Sequence, residues 1–135
     1  VERYNDLNGT HLDILENGEF GDNGIFLVSQ TRQSKILMAQ ASSLKIYLNE
    51  DEIKYNPKTV SNKNSVFQEI KIKCFKLQPV RFEKLVSIFT SKDIAISDPL
   101  NEAKSRINQL ESFSYIYKKH RLAWSPNLEV KKYDC

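Results

Sequence analysis

All four glycines of this chain, Gly9, Gly18, Gly21 and Gly24, lie in its first 24 residues, and all four prolines, Pro57, Pro79, Pro99 and Pro126, come later. Glycine reaches positive φ without steric cost, so clustered glycines mark tight turns between strands. The first part of the chain therefore reads as hairpins. His11 to Leu15 predicts a short strand, and Asn17-Gly18 fits a type I′ turn. Gly21-Asp22-Asn23-Gly24 predicts a second turn, and Gly24 to Ser29 a buried strand rich in branched and aromatic residues.

Residues 34–49 carry two patterns. Leu37, Ala41, Leu44 and Leu48 follow helical spacing, whereas Leu44, Ile46 and Leu48 alternate with Lys45, Tyr47 and Asn49. The preferred reading is two strands, 35–41 and 44–49, divided at Ser42-Ser43. Glu50-Asp51-Glu52 reads as an acidic turn and residues 56–65 as a polar loop. Val66 to Leu77 alternates over its whole length and reads as a strand, with Cys74 on its apolar side.

Helices are expected in the second half. Pro79 suits the first turn of a helix over residues 80–90, whose apolar side would be Phe82, Leu85, Val86 and Phe89. Asp98 as N-cap and Pro99 as the first helical residue predict a second helix over 99–123. Its stripe would be Ala103, Ile107, Leu110, Phe113 and Tyr117, and Pro126 would mark its stop. Strands grouped ahead of helices give an α+β fold, with a mostly antiparallel sheet or small barrel packed by two helices.

A length of 135 residues with 40% hydrophobic residues supports one core, so residues 1–135 read as a single domain. A first residue of Val rather than Met reads as a fragment of a larger protein. No apolar run reaches the roughly 20 residues that span a bilayer, so no membrane insertion is expected. The two cysteines, Cys74 and Cys135, are too few for a disulfide scaffold. They favour an intracellular setting, with the nucleus as a finer placement, although Asn8-Gly9-Thr10 forms a glycosylation sequon.

Recognisable chemistry is sparse. The chain has no Gly-x-Ser-x-Gly elbow and no phosphate-binding glycine motif. His11 and His120 are the only histidines, and His120 sits in a basic run. No histidine or cysteine pair has metal-ligand spacing, and neither metal nor cofactor is expected. A glycosidase-like pair of carboxylates assembles in space rather than in sequence, so an enzyme of that kind is carried as the third reading.

Charge is unevenly distributed. Residues 1–30 hold six acids and one base, whereas Lys54 to Lys92 holds nine bases and only Glu69 and Glu83. Two aromatic-basic clusters follow. Tyr115, Lys118, Lys119, Arg121 and Trp124 gather near the end of the long helix, with residue types enriched at protein interfaces. Phe67, Lys71, Lys73 and Phe75, joined by Lys45 and Tyr47, would give a strand face on which single-stranded nucleic acid could stack. The leading expectation is a non-catalytic interaction module, not an enzyme, that docks a protein partner within a larger assembly. The alternative is a single-stranded nucleic-acid-binding domain.

Overall fold

The computed structural model describes residues 11–94 and 96–129. The sequon at Asn8, Cys135 and the charges of residues 1–10 lie outside these. The elements run β1 (Leu12–Phe20), β2 (Gly24–Thr31), β3 (Leu37–Leu48), β4 (Asp51–Ile53), β5 (Lys58–Asn62), β6 (Ser65–Glu69), β7 (Val80–Thr90), α1 (Pro99–Gln109) and α2 (Phe113–Glu129). The fold is α+β: a curled antiparallel sheet, a half-barrel, followed by two helices. β3 is its spine, with β2 and β4 sharing one edge and β7 on the other. β5 and β6 form a separate two-stranded sheet. None of the helices described is long and apolar enough to cross a membrane.

The first hairpin turns later than Asn17-Gly18. β1 runs straight through that pair, with Gly18 opposite Phe26, and the chain reverses between Phe20 and Gly24. Gly21 takes the left-handed conformation there, at φ 57°. A Cβ on Gly24 would lie 2.6 Å from the Phe20 ring, so the turn needs glycine at both positions. β3 is one unbroken strand rather than two, with Ser42 and Ser43 paired to β7 through Val86 and Leu85. The turn after it is made by Asn49 and Glu50, both at positive φ, which is the backbone a two-residue hairpin requires. The expected polar loop at 56–65 folds instead into most of the β5–β6 hairpin, tied to β1 by the Asn17 amide donating to the Asn62 carbonyl at 2.8 Å.

The expected helix over 80–90 is strand β7. Its residues alternate: Glu83, Leu85 and Ser87 are buried, whereas Phe82, Lys84, Val86 and Ile88 are exposed. Phe82, Leu85, Val86 and Phe89 happen to be spaced as on a helix, but the strand sends the odd and even positions to opposite faces. The strand expected over 66–77 stops at Glu69, and Cys74 is exposed rather than buried.

α1 covers one face of the sheet. Ala103 and Ile107 pack against Phe26, Val28, Ala39, Ala41 and Leu85. Ala39 and Ala41 are almost completely buried, and their small side chains let the helix backbone approach β3 closely. Lys104 lays its ammonium over the Phe26 ring at 3.7 Å from the centroid, covering the core margin. Asp98 caps α1 as expected, accepting from the Leu100 and Asn101 amides at 3.1 Å, and Pro99 follows it. The single helix expected over 99–123 is broken at Leu110, whose extended backbone ends α1. Ser112 then starts α2, its hydroxyl accepting from the Tyr115 amide and its carbonyl from the Ile116 amide. Phe113 and Tyr117 therefore leave the expected stripe and are exposed, and α2 continues past Pro126.

The alternation along β7 has a direct consequence. Leu85→Ala should cost about 2–4 kcal/mol in urea unfolding, as a buried truncation does. Val86→Thr should cost about 0.5 kcal/mol or less, as an exposed substitution does. A helix presenting both residues to the core would instead lose stability with each.

Candidate functional site

Glu83 is the one buried carboxylate among the described residues, and three elements converge on it. Its Oε1 accepts from the Arg81 guanidinium, two residues along the same strand. Its Oε2 faces the Tyr47 hydroxyl and the Phe113 amide, each donating at 3.4 Å. Arg81 reaches on to Glu50 at 3.1 Å and stacks over the Tyr47 ring at 4.0 Å. Beside them Lys45 donates to the Glu111 carbonyl. The cluster ties β3, the β3–β4 turn and the start of α2 to β7. A carboxylate suits this place because the first amides of a helix lack partners within the helix. Both oxygens of Glu83 face groups of the fold itself.

Burial raises the Tyr47 hydroxyl above its ordinary value, and the nearby charges of Glu83 and Glu52 add to this against Arg81. Arg81 itself is lowered by burial, but Glu50 and Glu83 outweigh that and hold it more firmly charged. Substituting Glu83 by Gln removes the partner charge of Arg81. It should cost about 1–3 kcal/mol, whereas Arg32→Ala, which breaks an exposed pair with Asp13, should cost less than about 1 kcal/mol. Urea unfolding of the two variants gives the comparison.

A polar cleft opens on the same side of the sheet, beyond the end of α1. It has a volume of about 440 Å³ and lies between the β1–β2 turn, the middle of β3 and the chain from β4 onward. Asp22, Asn23, Lys45, Glu52, Tyr55 and Asn56 line it. A smaller hollow of about 180 Å³ continues it past Asp22, Asn23 and Lys45 to Asn108 and the Phe20 side of the turn. The cleft has a fixed floor. Asn23 donates to the Leu44 carbonyl at 2.8 Å and to the Tyr55 hydroxyl at 3.1 Å, and that hydroxyl donates to the same carbonyl. The Asn23 carbonyl accepts from Gln68, which brings β6 against the turn.

Burial also raises the Tyr55 hydroxyl, partly offset by the Asn23 hydrogen bond. A phenol raised on folding stabilises the fold fully below its unfolded value. That contribution is lost as pH climbs from the ordinary 10.0 through the folded value. Stability should therefore fall above pH 10 in the wild-type chain, and the fall should be shallower in Tyr55→Phe, read from urea midpoints across the alkaline range.

The other face of the sheet is more apolar. A groove of about 180 Å³ runs between the β5–β6 hairpin and β7, lined by Ile25, Leu27, Val66, Lys84 and Val86. Beyond it Phe82, Val86 and Ile88 are each more than half exposed.

Of the two clusters expected from sequence, the strand face does not assemble, whereas the α2 residues share one exposed helix. Phe67 is on β6, whereas Lys71, Lys73 and Phe75 follow as irregular chain, with the Lys73 ammonium 5.1 Å from the Phe75 ring centre. Lys45 and Tyr47 lie on β3, on the side that faces α1, and are engaged with Glu111 and Glu83. No common strand face joins the six. Tyr115, Lys118, Lys119, Arg121 and Trp124 are exposed along α2, and several contact one another within the helix. Lys119 lies 4.6 Å over Tyr115, and His120 is 5.8 Å from Trp124. Arg81, Glu83 and Tyr55 were not singled out by sequence reasoning. The signal for Glu83 is period-two burial along 80–90, which a helical reading conceals.

Fold and site together define an α+β domain with a curled antiparallel sheet, an ion-pair cluster around the buried Glu83 and a polar cleft beside it. The chain belongs to glycosyl hydrolase family 65, whose N-terminal domain profile matches residues 1–126. An uncharacterized glycosyl hydrolase of Mycobacterium tuberculosis strain CDC 1551 is 26% identical over 125 residues, covering 93% of this chain and 9% of the relative. Its counterpart in strain H37Rv has the same identity and coverage. The chain thus spans about 9% of the length of the curated relatives it matches.

The family corrects the functional expectation. A non-catalytic module docking a protein partner, and the single-stranded nucleic-acid alternative, both give way to a domain of a carbohydrate-active enzyme family. The expectation that the chain is not an enzyme falls with them.

Proposed function

We propose that this chain is the N-terminal domain of a larger enzyme that cleaves glycosidic bonds. The observation that carries the reading is the family match, which runs across residues 1–126 and so includes the whole sheet and both helices up to Pro126. The two mycobacterial relatives, each named a glycosyl hydrolase, support it. So does the β7 face. Large apolar side chains at Phe82, Val86 and Ile88 in water are in keeping with a unit that packs within a longer polypeptide.

Glycoside cleavage needs an acid to protonate the leaving oxygen and a second carboxylate to act as nucleophile or base. Glu83 is buried and faces Arg81, Tyr47 and the Phe113 amide, so it is not presented to a substrate for either role.

The test is turnover by the whole polypeptide that carries this domain. Incubated with α- and β-linked disaccharides and aryl glycosides, it should release sugar from at least one at roughly tenfold or more above the heat-denatured protein. No release from any glycoside in the panel would contradict the reading.

A further inference from the structure

We propose that the cleft lined by Asp22, Asn23, Lys45, Glu52, Tyr55 and Asn56 is a binding site for a neutral saccharide; the inference rests on the glycoside-cleaving reading for its ligand class. Its volume of about 440 Å³ falls within the roughly 300–1,000 Å³ of small-molecule sites. The lining also selects among ligands. Two carboxylates, Asp22 and Glu52, are balanced by two ammonium groups, Lys45 and Lys54, so the cleft as a whole favours neither an anion nor a cation.

What the lining offers is a mixed set of donors and acceptors at short spacing, which is what a polyhydroxylated ring presents in return. A sugar hydroxyl both donates and accepts, so carboxylate, amide and ammonium groups around one space can satisfy several hydroxyls at once. The floor is preorganised. Both amide hydrogens of Asn23 are committed to Leu44 and Tyr55, which leaves its side-chain oxygen as an acceptor. The Asp22, Glu52, Lys54 and Asn56 side chains make no hydrogen bond or ion pair with other described residues. They are available at no cost in broken protein contacts. The groove between the β5–β6 hairpin and β7 has no carboxylate in its lining and a smaller volume of about 180 Å³, and the α2 surface offers rings without an enclosing wall.

The experiment is an amide-resolved NMR titration of the chain with maltotriose and cellotriose, one α-linked and one β-linked, with glycerol as a simple polyol control. At least one trisaccharide should shift the amides of residues 22–23, 43–45 and 52–56 with a Kd near or below about 1 mM, equivalent to about −4 kcal/mol. The double substitution Glu52→Ala with Asn56→Ala, both at exposed positions, should weaken that binding about tenfold or more and leave the remaining spectrum in place. Asp22→Asn provides a second variant that keeps the turn and should weaken binding in the same direction. Shifts confined to α2, binding unchanged in the variants, or no binding of either trisaccharide would each overturn the proposal. Turnover of the glycoside panel reports separately. An active enzyme whose cleft ignores both sugars loses the cleft and keeps its reaction, whereas a cleft that binds in a polypeptide without turnover loses the reaction alone.

Discussion

The ladder between β3 and β7, continuous from Met38 opposite Thr90 to Leu48 opposite Val80, is the contact on which the remaining structure depends. It is extended at one end by the Asn49 amide on the Pro79 carbonyl and at the other by the Ser91 amide on the Leu37 carbonyl. Because strand side chains alternate, this one register decides two environments together. It sends Leu85 to the face where Ala39 and Ala41 receive α1. It also places Glu83 opposite Lys45 and Arg81 opposite Tyr47, which creates the charge cluster around the buried Glu83. A slip of one residue would bury Phe82 and Lys84 in place of Leu85 and Glu83 and leave the first amide of α2 without its carboxylate.

The cluster around Glu83 is polar glue placed where a helix start meets a sheet. Ion pairs that bury even one partner are weak sources of net stability, because desolvation offsets much of the attraction. Their value here is directional. Arg81 is held by two carboxylates and one ring, so Glu50 is drawn in at the β3–β4 turn despite its unfavourable positive φ. That turn leads directly into β4 and the residues that wall the cleft, so the framework and the surface it presents are mechanically joined.

Much of the fold is legible in the sequence wherever local chemistry and tertiary packing agree. The Gly21–Gly24 turn, the buried strand after it and the Asp98-Pro99 helix start are examples, each specified by backbone chemistry at one point. Legibility fails where a local pattern has two physical readings. On β7 the outward Phe82 and Val86 join the inward Leu85 and Phe89 to imitate a helical stripe after a proline. The imitation arises because this strand carries apolar residues on both faces. Asn17-Gly18 is a strong turn pair in isolation, yet glycine there serves the approach of the Phe26 ring, where an added Cβ would lie at 3.2 Å. The site is less legible still. Glu83 is one acid among many until β7 is known to be a strand, and the cleft joins the β1–β2 turn to the segment after β4, which sequence order separates. The family is not recognised from any short motif in the sequence, and identity to the mycobacterial relatives is 26% over 125 residues.

Amide hydrogen exchange along residues 80–90 tests the central pairing most directly. In an antiparallel ladder, residues that exchange both hydrogen bonds with the partner alternate with residues that exchange neither. β7 pairs only with β3 among the described residues. Its amides should therefore alternate between slow and fast exchange, whereas β3 residues 38–43, flanked by β2 and β7, should be slow throughout. Unbroken protection from Lys84 to Thr90, with no alternation, would contradict the account and restore a helix there.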